Sequence, residues 1–319
     1  MSDDTAKNEA AGAVPGGGGG PMGTCTLCPR RCGVARPEHL ADDLPGVCRS
    51  PRSPVVARAG LHQWEEPVIS GSRGSGAVFF SGCNLHCVFC QNYSISTGMR
   101  GREITVGRLK EIYRELVAQG AHNINLVTPT HYAEAVLASL EEPPPVPVVW
   151  NSNGYDSAET LRRFAGKVQI YLPDLKYADN ELARRYSGAG DYFEVATCSI
   201  DEMFRQTGRF EVGDDGLLKR GVVIRHLILP GCVENSLRVI KYVAERFRPG
   251  DVMFSLMRQY LPCGAVSEER FPELNRRVTD EEYEEVEQAL FDSGIEDGFV
   301  QEADSARDEF IPAFDFTGV

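Results

Sequence analysis

The chain has 319 residues, 42% of them hydrophobic, a formal net charge of −13 and ten cysteines. That length allows one large core with or without a small satellite, and the negative balance opposes any broad embrace of phosphate backbones. No apolar run reaches the roughly 18 residues a membrane helix needs, and the first twenty residues are not basic then apolar, so a cytoplasmic protein with neither nucleic-acid nor membrane partners is expected.

Residues 1–23 are glycine-rich and polar and are expected to be disordered. From 24 to 60 the chain is short of long apolar runs yet holds Cys25, Cys28, Cys32 and Cys48. A reducing compartment disfavours disulfides there, so these thiols predict a small metal-binding prefix. Residues 70–262 form the predicted core. The runs AVFF, NINLVT, PVVW, VQIYL, VVIRHLIL and DVMFSLM have strand length, and helical patterns fall between them. Val106, Leu109, Ile112, Tyr113, Leu116 and Val117 share one helical face ending near Gly120. Helix starts are predicted at Ser199 (SIDE) and Thr279 (TDEE), each with a hydroxyl at the cap and a glutamate three residues on. The acidic stretch 263–319 is expected to pack on this core. Cys198, Cys232 and Cys263 read as buried packing residues.

Strands alternating with helices predict a parallel sheet, closed as a full or partial barrel or left open. Such folds place chemistry at the carboxyl ends of the strands. There the sequence has CNLHCVFC, TPTH, NSNG, PDLK, LPG and MRQY, one after each run. CNLHCVFC puts Cys83, Cys87 and Cys90 at C-x3-C-x2-C spacing. Structural zinc usually takes four protein ligands, and ferredoxin-type runs supply four cysteines to their clusters. Three thiolates leave one iron of a [4Fe-4S] cluster open, where S-adenosylmethionine can chelate and receive an electron that breaks its S–C5′ bond. His86 reads as a spacer, because a fourth protein ligand would close that position.

This triplet, with Phe89 before its last cysteine and a preceding strand ending FFSG, resembles the radical S-adenosylmethionine (radical SAM) superfamily. The likeness implies an α/β fold, a partial (β/α)6 TIM-like barrel with a small Cys-rich N-terminal subdomain. It also implies the [4Fe-4S] cluster and S-adenosylmethionine as cofactors, and a 5′-deoxyadenosyl radical that abstracts hydrogen. Within the superfamily, residues 76–262 are most similar to the activating enzymes of glycyl-radical enzymes, above all pyruvate formate-lyase activase.

PDLK matches that family's D-x-K strand end, so Asp174 and Lys176 are the expected catalytic pair, on one face by strand alternation. Phe89, Asn92, Thr128, Thr130, Asn151, Asn153 and Arg225 join them as expected cofactor contacts. Arg225 interrupts an apolar strand and needs a buried partner; His226 points the other way. Two segments depart from the pattern: TPTH stands where Gly-Gly-Glu is usual, and MRQY where activases commonly carry a histidine. The prefix cysteines fit either closed zinc or a second iron–sulfur centre. Implied partners are reduced flavodoxin or ferredoxin as electron donor and a glycyl-radical enzyme as substrate. A peptide or small-molecule substrate, or an iron–sulfur electron carrier, are the alternatives.

Overall fold

A strand that returns to its sheet through a helix lies parallel to its predecessor, and that rule organises this chain. The computed structural model describes residues 24–301 and 312–319; the expected disorder of residues 1–23 lies outside them. In chain order the strands are β1 (Val55–His62), β2 (Ser75–Phe80), β3 (Arg102–Glu103), β4 (Ile124–Val127), β5 (Val148–Ser152), β6 (Ile170–Pro173), β7 (Glu211–Val212), β8 (Leu218–Leu227), β9 (Met253–Met257) and β10 (Gly298–Val300). The sheet order is β10-β9-β8-β6-β5-β4-β2-β1-β3, with β7 paired to β8 alone. Every pair from β2 across to β10 is parallel, whereas β1 is antiparallel to both β2 and β3. His62 of β1 and Phe299 of β10 line one cavity, so the sheet curls until both sides flank the same space. The architecture is the expected α/β partial barrel.

All six predicted runs are strands, β2, β4, β5, β6, β8 and β9. The helix Val106–Ala118 buries Leu109, Ile112, Tyr113 and Leu116, each such burial stabilising by roughly 1.5–3 kcal/mol. Its start is fixed by Thr105, whose hydroxyl accepts from Arg108 N at 3.1 Å. Thr279 and Glu282 form the expected capping box at the start of the helix Asp280–Asp292. Ser199 does not begin a helix. It lies inside the helix Tyr192–Thr207 and its hydroxyl donates to the carbonyls of Gly154 and Ala196. Cys198, on the outer side of that helix, is exposed rather than buried.

Alternation builds the barrel interior in layers. Val149, Ile170, Leu172, Val223 and Met253 pack with Ile69 into an apolar plug. Two residues further along the same strands come Asn151, Asp174, Arg225 and Ser255, all lining the cavity above it. At the C-terminal end, Phe316 N and Ala59 N donate to Ala57 O and Thr317 O, laying the tail beside β1.

Candidate active site

Cys83, Cys87 and Cys90 follow β2 and face one cavity of about 730 Å³. Each thiol has a polar neighbour: Asn153 Nδ2 and Leu85 N lie 3.3 Å from Cys83 Sγ, Ser187 Oγ 3.1 Å from Cys87 Sγ, and Ser96 Oγ 3.4 Å from Cys90 Sγ. Burial pushes the Cys87 thiol up to about 12 and the Cys90 thiol to about 11, so ligation must displace their protons. Three sulfurs on one cavity, each with a donor able to stabilise thiolate, suit a multi-iron cluster held at three corners; they are not drawn up around a position for a single ion. Val88 N donates to Tyr186 O at 2.9 Å and Ala265 N to Val88 O at 2.7 Å, fixing the loop from both sides. Gly264 makes this close approach at φ +67°; a Cβ there would lie 2.6 Å from Val88 O. His86 is turned out of the cavity, with Nε2 2.6 Å from Val47 O and Nδ1 3.1 Å from Thr97 Oγ1.

Beyond the thiols a chain of buried charges crosses the cavity. Lys176 Nζ donates to Asp174 Oδ2 at 2.6 Å, and Arg225 Nε to Asp174 Oδ1 at 2.9 Å. The same guanidinium donates to Asn151 Oδ1 at 2.8 Å and to Glu65 Oε2 at 3.1 Å. Burial alone would raise Asp174, but Arg225 and Lys176 outweigh it and hold the carboxyl below the usual range. Burial opposes the charge of Lys176, and Asp174 restores it, leaving the amine above its ordinary value. Phe89, Asn92, Thr128, Asn151, Asn153, Asp174, Lys176 and Arg225 all line the cavity. Thr128 adopts φ +57°, uncommon for a β-branched residue; it occupies the departure from Gly-Gly-Glu.

Thr130 does not join them. Its hydroxyl lies 2.5 Å from Asp156 Oδ1 in the packed interior, because the 3-10 turn Thr130–Tyr132 directs it away. The fifth predicted strand contributes Arg225 and Leu227 rather than LPG, and the sixth contributes Met257 and Gln259. His226 is buried on the far face between Leu175 O and Ser236 Oγ. Sequence reasoning missed Glu65 and Glu66, both in the cavity wall. They stand in the β1–β2 connection, at the amino ends of the parallel strands, where no strand-end signal points. The only cue was the unexplained acidic pair beside Trp64 in QWEEP.

In the prefix, Cys28 and Cys48 are buried and Cys25 and Cys32 half-buried. Cys25 N donates to Val34 O and Gly33 N to Cys25 O, closing a small hairpin. Burial, with Cys48 and Cys25 adding to it, pushes the Cys28 thiol up to about 12. Among the described residues no set of three or more Cys, His, Asp or Glu is drawn up around a position for a single metal ion. Arg30 ties the hairpin to the Cys83–Cys90 loop by donating to Asn84 O at 2.7 Å, and to the end of the helix Asn180–Ser187 by donating to Ser187 O at 2.8 Å. No helix among the described residues is long and apolar enough to cross a membrane.

The geometry can be set beside known proteins. An uncharacterized protein of Methanocaldococcus jannaschii, MJ0674, is 30% identical over 279 residues, covering 83% of this chain and 73% of that relative. Among solved structures, Streptococcus suis SuiB bound to S-adenosylmethionine matches with 14% identity and TM-score 0.47, covering 71% of this chain and 50% of SuiB. This chain thus spans about half the length of SuiB. A domain of pyruvate-formate lyase-activating enzyme from Bacteroides vulgatus matches with 13% identity and TM-score 0.35, over 62% of this chain and 91% of that domain. The sequence model of the Radical SAM superfamily matches residues 77–257, from β2 through β9 and every cavity-lining residue between them. The chain belongs to the radical SAM superfamily.

Proposed function

We propose that this radical SAM enzyme abstracts hydrogen from a glycine of a protein partner, as the activating enzymes do. The observation that carries the reading is the joint placement of the three thiols, Asn153, the Asp174–Lys176 pair and Arg225 on one cavity flanked by both sides of the sheet. The cluster, when bound, supplies the electron that cleaves S-adenosylmethionine to methionine and a 5′-deoxyadenosyl radical. Asn153, Ser187 and Ser96 stabilise the thiolates. Asp174, Lys176 and Arg225 form a fixed charged wall able to orient the amino acid end of the cofactor, and the apolar plug keeps bulk water out of the barrel floor. A reduced flavodoxin or ferredoxin serves as donor. Anaerobic incubation with dithionite, S-adenosylmethionine and a candidate glycyl-radical enzyme should give a glycyl radical by electron spin resonance, stoichiometric with 5′-deoxyadenosine. Cofactor cleavage with no radical on any such partner, but with consumption of a peptide or small molecule, would transfer the assignment to that alternative.

The prefix cysteines are assigned a second inorganic centre, zinc or iron–sulfur. Its support is the placement of Cys25, Cys28 and Cys32 in one hairpin fastened by Arg30 to the loop that carries Cys83 and Cys87, with Cys48 near enough to Cys28 to raise its thiol. In protein with Cys83, Cys87 and Cys90 replaced by Ala, metal and acid-labile sulfide analysis should still find a centre. Zinc without sulfide makes it structural; iron with sulfide makes it an electron path. Neither metal present removes the site.

A further inference from the structure

We infer that the floor of the cavity is a binding site for a cationic group of the substrate, an ammonium or guanidinium received by Glu66. Glu66 begins the short helix Pro67–Ser70, where its side chain would ordinarily bond back to the helix backbone; it makes no such bond. It lines the cavity instead, only 9% exposed, with Oε2 buried and no partner in hydrogen-bonding geometry among the described residues; the Ser255 hydroxyl and its own backbone N–H are the groups beside the carboxyl. A buried carboxylate oxygen left unpaired is costly, so Oε2 in this otherwise well-bonded wall is a place where an arriving donor would be favoured.

The neighbours specify the charge of that donor. Among the described residues the cavity wall carries three carboxyl groups, Glu65, Glu66 and Asp174, and two cations, Lys176 and Arg225; His62, lowered to about 4 chiefly by burial, stays neutral. Both cations are already committed. Lys176 bonds Asp174, while Arg225 divides its donors among Asp174, Asn151 and Glu65. Glu65 is complete, accepting from Arg225, Asn125 and Asn151. Glu66 is the carboxyl left over among the described residues: burial raises it above its ordinary range, Arg225 pulls it back, and an arriving cation would hold it ionised. Asn125 Oδ1, on the residue that donates to Glu65, is also a buried acceptor without a donor. Turning the Asn125 amide over would set oxygen against oxygen at Glu65, so the deficit of donors is not removed by reassigning that group. The site asks for a positively charged donor.

The position separates this site from the cofactor's. Cys83, Cys87 and Cys90 occupy the carboxyl ends of the strands, and Glu66 the amino ends, with the Asp174–Arg225–Glu65 ion pairs between. His62 and Trp64, from β1 and the turn after it, and Phe299 and Gln301, from β10 and just beyond, border the same cavity. A substrate entering there would set its cationic end on Glu66 and extend the rest of its length toward the thiol end. Naming the ligand as substrate rests on the radical-enzyme reading above.

The test is equilibrium dialysis of oxidised holoenzyme against labelled n-propylguanidinium and n-butylammonium, with n-butanol and butyrate as uncharged and anionic controls. One cation per chain should bind, and Glu66→Gln should weaken it at least about tenfold, the usual worth of a charge-assisted hydrogen bond. The same variant should keep its S-adenosylmethionine affinity, read by the same dialysis. It should also melt no lower than the parent, since replacing an unpaired buried carboxylate removes a cost rather than a contact. Equal binding of n-butanol, unchanged cation binding in Glu66→Gln, or a lower melting point would overturn the inference. So would a tenfold loss of cofactor affinity, which would assign the cation to the cofactor, or displacement of both organic cations by millimolar potassium, which would make this an inorganic ion site. If Glu66 behaves as expected while the parent never cleaves the cofactor, the binding site stands and the radical-enzyme reading falls.

Discussion

Replacing any one of Cys83, Cys87 and Cys90 with Ala should reduce substrate-free release of 5′-deoxyadenosine to background, measured chromatographically after anaerobic reconstitution and reduction. The cofactors carry the hard step, so the whole rate acceleration, on the order of 10⁶-fold or more for enzymes, depends on the open iron. The three thiols are not interchangeable with the chain's other cysteines. Cys198 is exposed on the outside of a helix, and Cys232 is buried without lining the cavity. Alanine at either should leave cleavage within about twofold, the effect of a change remote from the chemistry. These two variants separate loss of a thiol from a general effect of removing a cysteine, and misfolding is read independently. Far-ultraviolet circular dichroism of the three variants should match the parent, since the loop is also held by Val88 N, Ala265 N and Arg30. A variant lacking one of these thiols that retains cleavage would break the assignment of the motif.

What could be read in advance follows from how local each signal is. The six parallel strands announced themselves because β4, β5, β6 and β9 are apolar on both faces, and the thiol triplet because its spacing is contained in eight residues. β1 and β10 were not seen. β1 lies at the side of the sheet with Arg58 and Gly60 in an otherwise apolar run, and β10 is three residues long, too short for any period. The need of Arg225 for a partner was legible from its place in an apolar strand, whereas the partners were not. Asp174 reaches it across neighbouring strands, and Glu65 from a connection 160 residues away in sequence. Ser199 misled because a hydroxyl followed three residues later by a glutamate looks like a cap wherever it falls; here the hydroxyl is already spent on Gly154 O and Ala196 O. Capping chemistry is local, but which turn begins the helix is decided by packing.

Arg225→Met should destabilise the protein by roughly 3–5 kcal/mol, the usual result of breaking a buried ion pair by removing one partner. Methionine keeps much of the length and volume of the arginine it replaces, which faces Asp174, Asn151 and Glu65, so the loss is electrostatic. Asp174 keeps Lys176 at 2.6 Å, but Glu65 keeps only the amides of Asn125 and Asn151. Burial already raises Glu65 above its ordinary 4.5, with Arg225 pulling it back; without the guanidinium it rises further. A group whose folded pKa is raised contributes stability below its unfolded value and loses it as pH rises through the folded one. The deficit of Arg225→Met should therefore be largest at neutral pH and narrow toward pH 4.5. Asp174 works in the opposite sense: held below its usual range, it contributes stability above its unfolded value that is lost as pH falls through the folded one. Removing Arg225 also raises Asp174, whose lost contribution narrows toward low pH in the same direction, so the comparison with the Glu65→Gln double variant is what isolates the Glu65 effect. Adding Glu65→Gln should restore part of the stability at pH 7 and flatten the pH dependence, because a neutral amide can still bond both asparagines. Urea denaturation of the cluster-free protein, taken anaerobically at pH 7 and pH 5 for the parent, the single variant and the double, reads all three effects. A single-variant deficit that is the same at both pH values, with no recovery in the double, would mean that Arg225 acts through packing and that the carboxylates across the cavity are not its electrostatic partners.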